Sequence, residues 1–199
     1  MDKKTIDTYN KLAKEYDEET KGFWDKFPYT FIDNFKASIK GDKILNLGSG
    51  PGRDALILKE SGFNIVCLDA SESMVDICRN KGLESILADF LSIPFADDSF
   101  DGVWAYTSLL HISKNQINQS LSEIKRVMKR DGVLGLGMIE GSGEEYRNSK
   151  GVLEARLFSF YTQKGLEEIL KENGFEIFYF DKFQPRNSYY LNFLARNKK

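Results

Sequence analysis

The sequence predicts an α/β fold: a doubly wound, mostly parallel sheet that ends in an antiparallel hairpin and carries a helical cap at its N-terminus. From residue 43 onward, short apolar runs alternate with amphipathic stretches of helical period. Strand, helix and strand in succession form right-handed crossovers, which give a parallel sheet. Only a short connection separates the last two apolar runs, 175–180 and 189–196, which suits an antiparallel hairpin.

Residues 1–40 form the predicted helical cap. The apolar and aromatic residues that recur there at helical spacing are Ile6, Tyr9, Leu12, Ala13 and Tyr16. An aromatic-rich stretch over 23–32 predicts one or two further helices, with Pro28 near a boundary. Residues 41–199 form the predicted sheet core, and the length of 199 residues favours a single domain.

The predicted core alternates strands and helices in a regular order. The predicted strands cover 43–47, 64–68, 84–88, 101–106, 133–138, 175–180 and 189–196. The predicted helices cover 52–61, 71–81, 114–130 and 162–173, and Thr162 is suited to cap the last of them. The glycine-rich stretch 140–147 has two interpretations. It is either a solvated connector or a mobile loop whose Tyr146 and Arg147 reach a ligand, with Arg156, Phe160 and Tyr161 as the far wall.

Composition excludes several classes of function. The formal charge of −2 argues against general binding of polyanions, so a nucleic-acid partner is not expected. No apolar run approaches the roughly 20 residues that cross a membrane, so no membrane association is expected. A single histidine and no Cys-x-x-Cys leave little material for a metal site. Cys67 and Cys78 are predicted to be buried reduced thiols, which points to the cytoplasm.

The carboxyl ends of the first three predicted strands carry residues suited to a nucleoside. The first strand runs into Gly48-Ser-Gly-Pro-Gly52, where glycines allow close approach of the backbone to a ligand. Asp69 ends the second strand and is suited to accept hydrogen bonds from ribose hydroxyls. Asp89 and Phe90 end the third, where a carboxylate meets an exocyclic amine and a ring packs on a base. Arg53 replaces the third glycine of the dinucleotide fingerprint, which counts against an NAD(P)-linked oxidoreductase.

With these motifs the sequence resembles the class I S-adenosylmethionine-dependent methyltransferases, especially their small-molecule branch. The segments that carry the resemblance are Leu45-Asn-Leu-Gly-Ser-Gly-Pro-Gly-Arg-Asp54, Val66-Cys-Leu-Asp-Ala-Ser71, Ala88-Asp-Phe90, Phe95-Ala-Asp-Asp-Ser-Phe-Asp-Gly-Val-Trp104 and Arg130-Asp-Gly-Val-Leu134. The resemblance implies a Rossmann-like seven-stranded sheet whose last strand is antiparallel. It also implies S-adenosyl-L-methionine as cofactor and S-adenosyl-L-homocysteine as product.

The same resemblance implies a role for particular residues. Gly48, Ser49 and Gly50 lie against the amino-acid end of the cofactor, and Asp69 holds its ribose. Ala70 and Met74 flank the adenine, whose edge Asp89 and Phe90 meet. Tyr16 on the N-terminal helix covers the site, and Ala105 and Tyr106 end the strand that faces the reactive part of the cofactor. Asn46 stands where the family usually has an acid, and we expect cofactor binding to survive this change.

The acceptor chemistry is less specified by the sequence. His111 lies just after the fourth strand, where it is either a general base or a residue that caps a helix or lines the pocket. The resemblance to the small-molecule branch makes a small molecule the expected acceptor. The absence of an Asn-Pro-Pro-Tyr-like segment after the fourth strand counts against amino-methylation of bases. A non-catalytic cofactor-binding module is the remaining alternative, and the chain is expected to be a monomer or a homodimer.

Overall fold

The computed structural model describes residues 1–26, 29–149, 152–185 and 187–199, and its main sheet has seven strands. These strands are β1 (Lys43–Leu47), β2 (Asn64–Asp69), β3 (Glu84–Leu87), β4 (Phe100–Tyr106), β5 (Met128–Ile139), β8 (Phe175–Phe183) and β9 (Tyr190–Asn197). They lie in the order β3-β2-β1-β4-β5-β9-β8. The pairings from β3 to β5 are parallel, whereas β9 is antiparallel to both β5 and β8. The predicted sheet and its terminal hairpin are confirmed.

Helices cover both faces of this sheet. The helices are α1 (Lys3–Lys11), α2 (Ala13–Thr20), α3 (Thr30–Ser38), α4 (Arg53–Glu60), α5 (Glu72–Asn80), α6 (Ile117–Val127) and α7 (Gln163–Glu172). On one face Leu121 of α6 and Leu166 of α7 are fully buried. On the other face Phe35 of α3 and Leu58 of α4 pack with Trp104 of β4. Burial on both faces explains why the strands read as nearly continuous apolar runs.

The N-terminal segment has two parts. Its first two helices lie over the end of the sheet, and its third helix packs against a face of the sheet. The pattern that suggested one helix through Tyr16 forms α1 and α2, because Leu12 between them leaves the helical backbone region. A short 3₁₀ turn, Trp24–Lys26, and α3 follow, and the ring of Phe35 lies 4.9 Å from that of Trp104. Pro28 falls outside the described residues. Among the described residues of this segment, α1 and α2 lie over the carboxyl ends of the parallel strands.

One helix ends earlier than the sequence pattern predicts. The helix expected over 114–130 begins as a 3₁₀ turn, Lys114–Gln116, and α6 ends at Val127, after which β5 starts at once. The side chain of Asn197 on β9 donates to the carbonyl oxygens of Met128 and Lys129 at 3.1 and 3.2 Å. These contacts fix the turn out of the helix, and a contact 69 residues away in the chain is invisible to local periodicity.

The stretch after β5 contains a hairpin that the sequence did not predict. β6 (Glu144–Ser149) pairs antiparallel with β7 (Val152–Ser159), so the interpretation of 140–147 as a connector or mobile loop is wrong for its second half. The hairpin packs against α1, where Leu157 N donates to Thr5 Oγ1 at 2.9 Å. It therefore forms one wall around the edge of the sheet that α1 covers.

Candidate active site

A cavity opens at the carboxyl ends of β1, β2 and β4, beneath α1 and α2. Ten of the sequence-predicted site residues line it: Tyr16, Gly48, Ser49, Gly50, Asp69, Ala70, Met74, Phe90, Tyr106 and His111. Asn46, Asp89 and Ala105 lie behind or beside it. The structure thus gathers most of the predicted site around one space.

The glycine turn forms the floor of this cavity. Gly48 has φ +68°, and a Cβ there would stand 2.3 Å from Ser108 Cβ, so a side chain at this position is excluded by both conformation and space. Gly50 has φ +53°, and the nearest atom to a Cβ there would be Tyr16 Cε1 at 3.9 Å. The turn therefore packs tightly below and leaves open space above, as a loop that receives a ligand requires.

Asp69 ties the glycine turn to α5. One carboxylate oxygen accepts from Gly50 N at 2.8 Å and the other from Ser71 N at 2.9 Å. Burial raises the pKa of this carboxyl against the opposing effect of these backbone bonds. Each carboxylate oxygen has two lone pairs, so each retains capacity for one further donor from the cavity. That arrangement suits a vicinal diol such as the ribose of a nucleoside.

Three predicted residues take other positions. Asn46 is buried, and its Nδ2 donates to Trp104 O at 3.3 Å, while within the described part of the chain its Oδ1 has no partner. Asp89 accepts from the N-terminal ammonium of Met1 and from Leu91 N. Ala105 is fully buried within β4. None of these three side chains lines the cavity as the described residues define it.

His111 belongs to a buried polar network. Its Nδ1 lies 2.6 Å from Leu157 O, which can only accept, so Nδ1 carries the proton and Nε2 is the acceptor. The hydroxyl of Tyr9, 2.8 Å from Nε2, donates there and itself accepts from Arg156 Nη1. Burial, with the nearby Arg156 charge, lowers the pKa of His111 to about 3. In this arrangement the imidazole is neutral and its lone pair is already used.

We expect this network to make the stability of the protein depend on pH between 7 and 5. The unfolded histidine binds a proton below its ordinary pKa of 6.5, whereas the folded one does not until about pH 3, so stability falls as pH falls. The free energy of unfolding should decrease by about 2 kcal/mol from pH 7 to pH 5. Denaturant titrations measure it, and His111 is the only histidine in the chain.

His111→Gln supplies the control for that measurement, because glutamine keeps polar atoms at the site and does not titrate. This variant should be less stable at pH 7 and nearly independent of pH over the same range. A wild-type protein whose stability is constant from pH 7 to pH 5 would show that His111 remains ionisable in the folded state.

Sequence reasoning assigned no role to Arg53 and Asp54, which follow the glycine turn and line the cavity. The carboxylate of Asp54 accepts from the indole nitrogens of Trp24 and Trp104, both at 2.9 Å, and from Arg53 Nε at 2.6 Å. Burial alone would raise the pKa of Asp54, but Arg53 and the two indoles outweigh it and hold that pKa below its ordinary value. A charged pair directly after a glycine turn was the available signal in the sequence.

Thr107 and Ser108, just after β4, were also missed. Thr107 has φ +54°, a conformation that a β-branched residue rarely adopts, and its N donates to Gly137 O at 2.9 Å. Ser108 Oγ is buried and lines the cavity, and no acceptor or donor for it exists among the residues that the structure describes. An unsatisfied hydroxyl and a strained backbone at the end of a strand are features of ligand-binding sites.

Of the residues expected to act on an acceptor, several support the site from outside. Tyr146 is exposed and its hydroxyl donates to Asp2 on the N-terminal segment. The guanidinium of Arg147 lies over the rings of Phe158 and Phe160, at 4.3 and 4.7 Å. Tyr161 is buried outside the cavity. These residues shape the hairpin and its contact with α1.

The described residues contain neither a cluster suited to a metal ion nor a helix suited to span a membrane. Within the ranges that the structure describes, no three His, Cys, Asp or Glu side chains are grouped so as to hold a metal ion. None of the helices in that same part of the chain has the length and apolarity to cross a membrane.

Comparison with known proteins agrees with the fold and the site. Residues 45–136, which include the glycine turn and Asp69, match the model of a methyltransferase domain family. Together with the sheet order, this match identifies residues 45–136 as a methyltransferase domain of the class I fold.

Similar proteins have several acceptors. An uncharacterised protein of Methanocaldococcus jannaschii is 29% identical over 86% of this chain and 82% of its own length. The demethylmenaquinone methyltransferase of Thermotoga maritima is 27% identical over 74% of each chain. A tRNA (carboxymethyluridine(34)-5-O)-methyltransferase of Xenopus tropicalis is 28% identical over 62% of this chain and 19% of its own. The DhpI–SAH complex superposes with a TM-score of 0.78 at 19% identity, covering 98% of this chain and 96% of that one.

Proposed function

We propose that the enzyme transfers the methyl group of S-adenosylmethionine to a small-molecule acceptor by in-line displacement. The proposal rests on the way α1 covers the cavity, because hydrogen bonds hold this helix on both sides. On one side Ser71 Oγ donates to Asn10 Oδ1 at 2.8 Å and Ser73 Oγ donates to Asn10 O at 2.9 Å. On the other side α1 bonds to β7 through Thr5 and Thr8. A cavity covered in this way favours an acceptor that is small enough to fit inside it entirely.

The residues present fit the cofactor. The open space above Gly50, the two acceptor oxygens of Asp69 and the unsatisfied Ser108 hydroxyl all lie on the same cavity. We propose that Asp69 binds the ribose, that Ala70 and Met74 flank the adenine and that Phe90 packs on its edge. The bound sulfonium supplies the electrophile. The protein aligns the acceptor and keeps water out beneath α1 and α2.

We assign His111 a positioning role in this reaction rather than that of a general base. Its Nε2 lone pair accepts from Tyr9, and its lowered pKa disfavours proton uptake at neutral pH. The imidazole therefore fixes the orientation of Tyr9, whose ring lies 5.3 Å from that of Tyr16 in an edge-to-face contact. Through Tyr9 it holds the aromatic part of the cover over the glycine turn.

Transfer of label from S-adenosyl-L-[methyl-³H]methionine tests the class of acceptor. We expect incorporation into a low-molecular-mass metabolite fraction and none into bulk tRNA or denatured protein. The Asp69→Ala variant, which should not bind the cofactor, is the control for non-enzymatic labelling. Incorporation into tRNA by the wild type and not by the variant would contradict the small-molecule proposal.

The cellular setting is part of the same proposal. Cys67 and Cys78 are buried free thiols, as a reducing cytoplasm maintains them. We propose that the protein acts there as a single methyltransferase domain, monomeric or homodimeric, without a nucleic-acid partner.

A further inference from the structure

Arg53 lines the active-site cavity, and among the described residues only its Nε has a hydrogen-bond acceptor. It is the first residue of α4, and its Nε donates to Asp54 Oδ1 at 2.6 Å. The plane of the group lies over the ring of Phe23, 3.9 Å from the ring centre. One ion pair and one stacked ring therefore fix where this cation points. Its side chain is 23% exposed, which shows that it is neither in the core nor free in solvent.

The two terminal nitrogens of the Arg53 guanidinium remain available to a ligand. In the ranges that the structure describes, no protein atom accepts a hydrogen bond from Nη1 or Nη2, although Arg53 lines the cavity. These nitrogens carry four N–H donors in a fixed planar fork, which matches the two oxygens of a carboxylate. Tyr16 and Tyr106 line the same space. The site therefore offers a preorganised cation with hydroxyl-bearing rings around it.

From this geometry we propose that Arg53 is a carboxylate receptor, oriented by Asp54. The inference rests on the proposed function, because the carboxylate belongs either to the amino-acid end of S-adenosylmethionine or to the acceptor. Position favours the cofactor: Arg53 lies three residues after Gly50 and two after Pro51, and all three line one cavity. Asp54 neutralises the cation from its Nε side, which leaves the outer edge for an incoming anion.

Calorimetry with two cofactor-derived ligands tests this assignment. S-adenosylhomocysteine carries the amino-acid end, whereas 5′-methylthioadenosine has the adenosine and the sulfur without it. We expect Arg53→Met to lower the affinity for S-adenosylhomocysteine by about 10- to 100-fold and to leave that for methylthioadenosine unchanged. Arg53→Lys should fall between wild type and Arg53→Met, because an ammonium does not form the bidentate pair.

A second arm distinguishes the two sources of the carboxylate. If Arg53→Met binds S-adenosylhomocysteine as the wild type does, benzoate is titrated into both proteins saturated with that ligand. Benzoate binding that is lost in Arg53→Met supports a carboxylate of the acceptor. Benzoate binding that is absent, or equal in both proteins, overturns the proposal.

The remaining outcomes separate this inference from the proposed function. An equal loss of affinity for both cofactor-derived ligands in Arg53→Met would show a structural effect and overturn the receptor role, while the methyltransferase assignment stands. Failure of the wild type to bind either ligand would overturn the proposed function and the receptor role with it. Thermal unfolding of each variant verifies that the compared proteins are folded.

Discussion

Replacing Asp69 by alanine is expected to lower the affinity for S-adenosylhomocysteine by about 100- to 10,000-fold. Two hydrogen bonds from the ribose to a charged oxygen pair are worth about 1.5–3 kcal/mol each. The same change frees Gly50 N and Ser71 N, which the carboxylate now holds at 2.8 and 2.9 Å, so the glycine turn also loses its link to α5. Calorimetry at neutral pH measures the loss.

Two further variants sharpen that experiment. Asp69→Asn keeps the shape and one good acceptor, so its affinity should lie between wild type and Asp69→Ala. Asp76→Ala removes an exposed acid of α5 that pairs with Arg79 at 3.3 Å on the surface, and it should bind as the wild type does. Equal affinities for Asp69→Ala and Asp76→Ala would exclude Asp69 from the ribose site.

The sheet was predictable because its signals are local. β2, β4 and the later part of β5 contain apolar runs, and Gly62 and Gly82 mark the turns after two helices with φ of +94° and +73°. Thr162 caps α7 by accepting from Gly165 N at 3.1 Å, as its position before the helix indicates. The contact between Asn197 and the end of α6 lies outside any such window, which is why the predicted helix is too long.

The candidate site was predictable to the extent that it lies on consecutive strand ends. Gly48, Asp69 and Phe90 follow three strands of a parallel sheet, so topology alone brings them to one edge. The network of Tyr9, His111 and Arg156 joins three distant parts of the chain, 102 and 147 residues apart. Its assembly depends on the β6–β7 hairpin, which lacks a strong alternating pattern, so sequence reasoning found the histidine without its partners.

Asp54→Asn is expected to lower the free energy of unfolding by about 3 kcal/mol. Asp54 is 5% exposed, and the change removes the charge that balances the largely covered Arg53. It also places an amide NH2 against the indole N–H of Trp24 or of Trp104, because asparagine keeps a single acceptor oxygen and an indole nitrogen only donates. Denaturant unfolding measures the loss, with Asp76→Asn as a surface control that should change stability by less than about 1 kcal/mol.

A double-mutant cycle separates the ion pair from the indole bonds. If the pair dominates, Arg53→Met combined with Asp54→Asn should be clearly more stable than the sum of the single changes predicts, because no charge is left uncompensated. Additive losses would assign the energy to the two indole bonds instead. Trp24→Phe, which removes one of those donors and keeps an aromatic ring, gives their separate size.

The same cycle connects stability with binding, because Asp54 is a positioning residue that acts through Arg53. Asp54→Asn leaves the guanidinium its charge but removes the negative charge to which its Nε donates, so the fork is held in place less firmly. The affinity for S-adenosylhomocysteine should then fall in Asp54→Asn, and adding Arg53→Met should lower it little further. An affinity that Asp54→Asn leaves unchanged would show that Phe23 alone, through its stacked ring, orients Arg53.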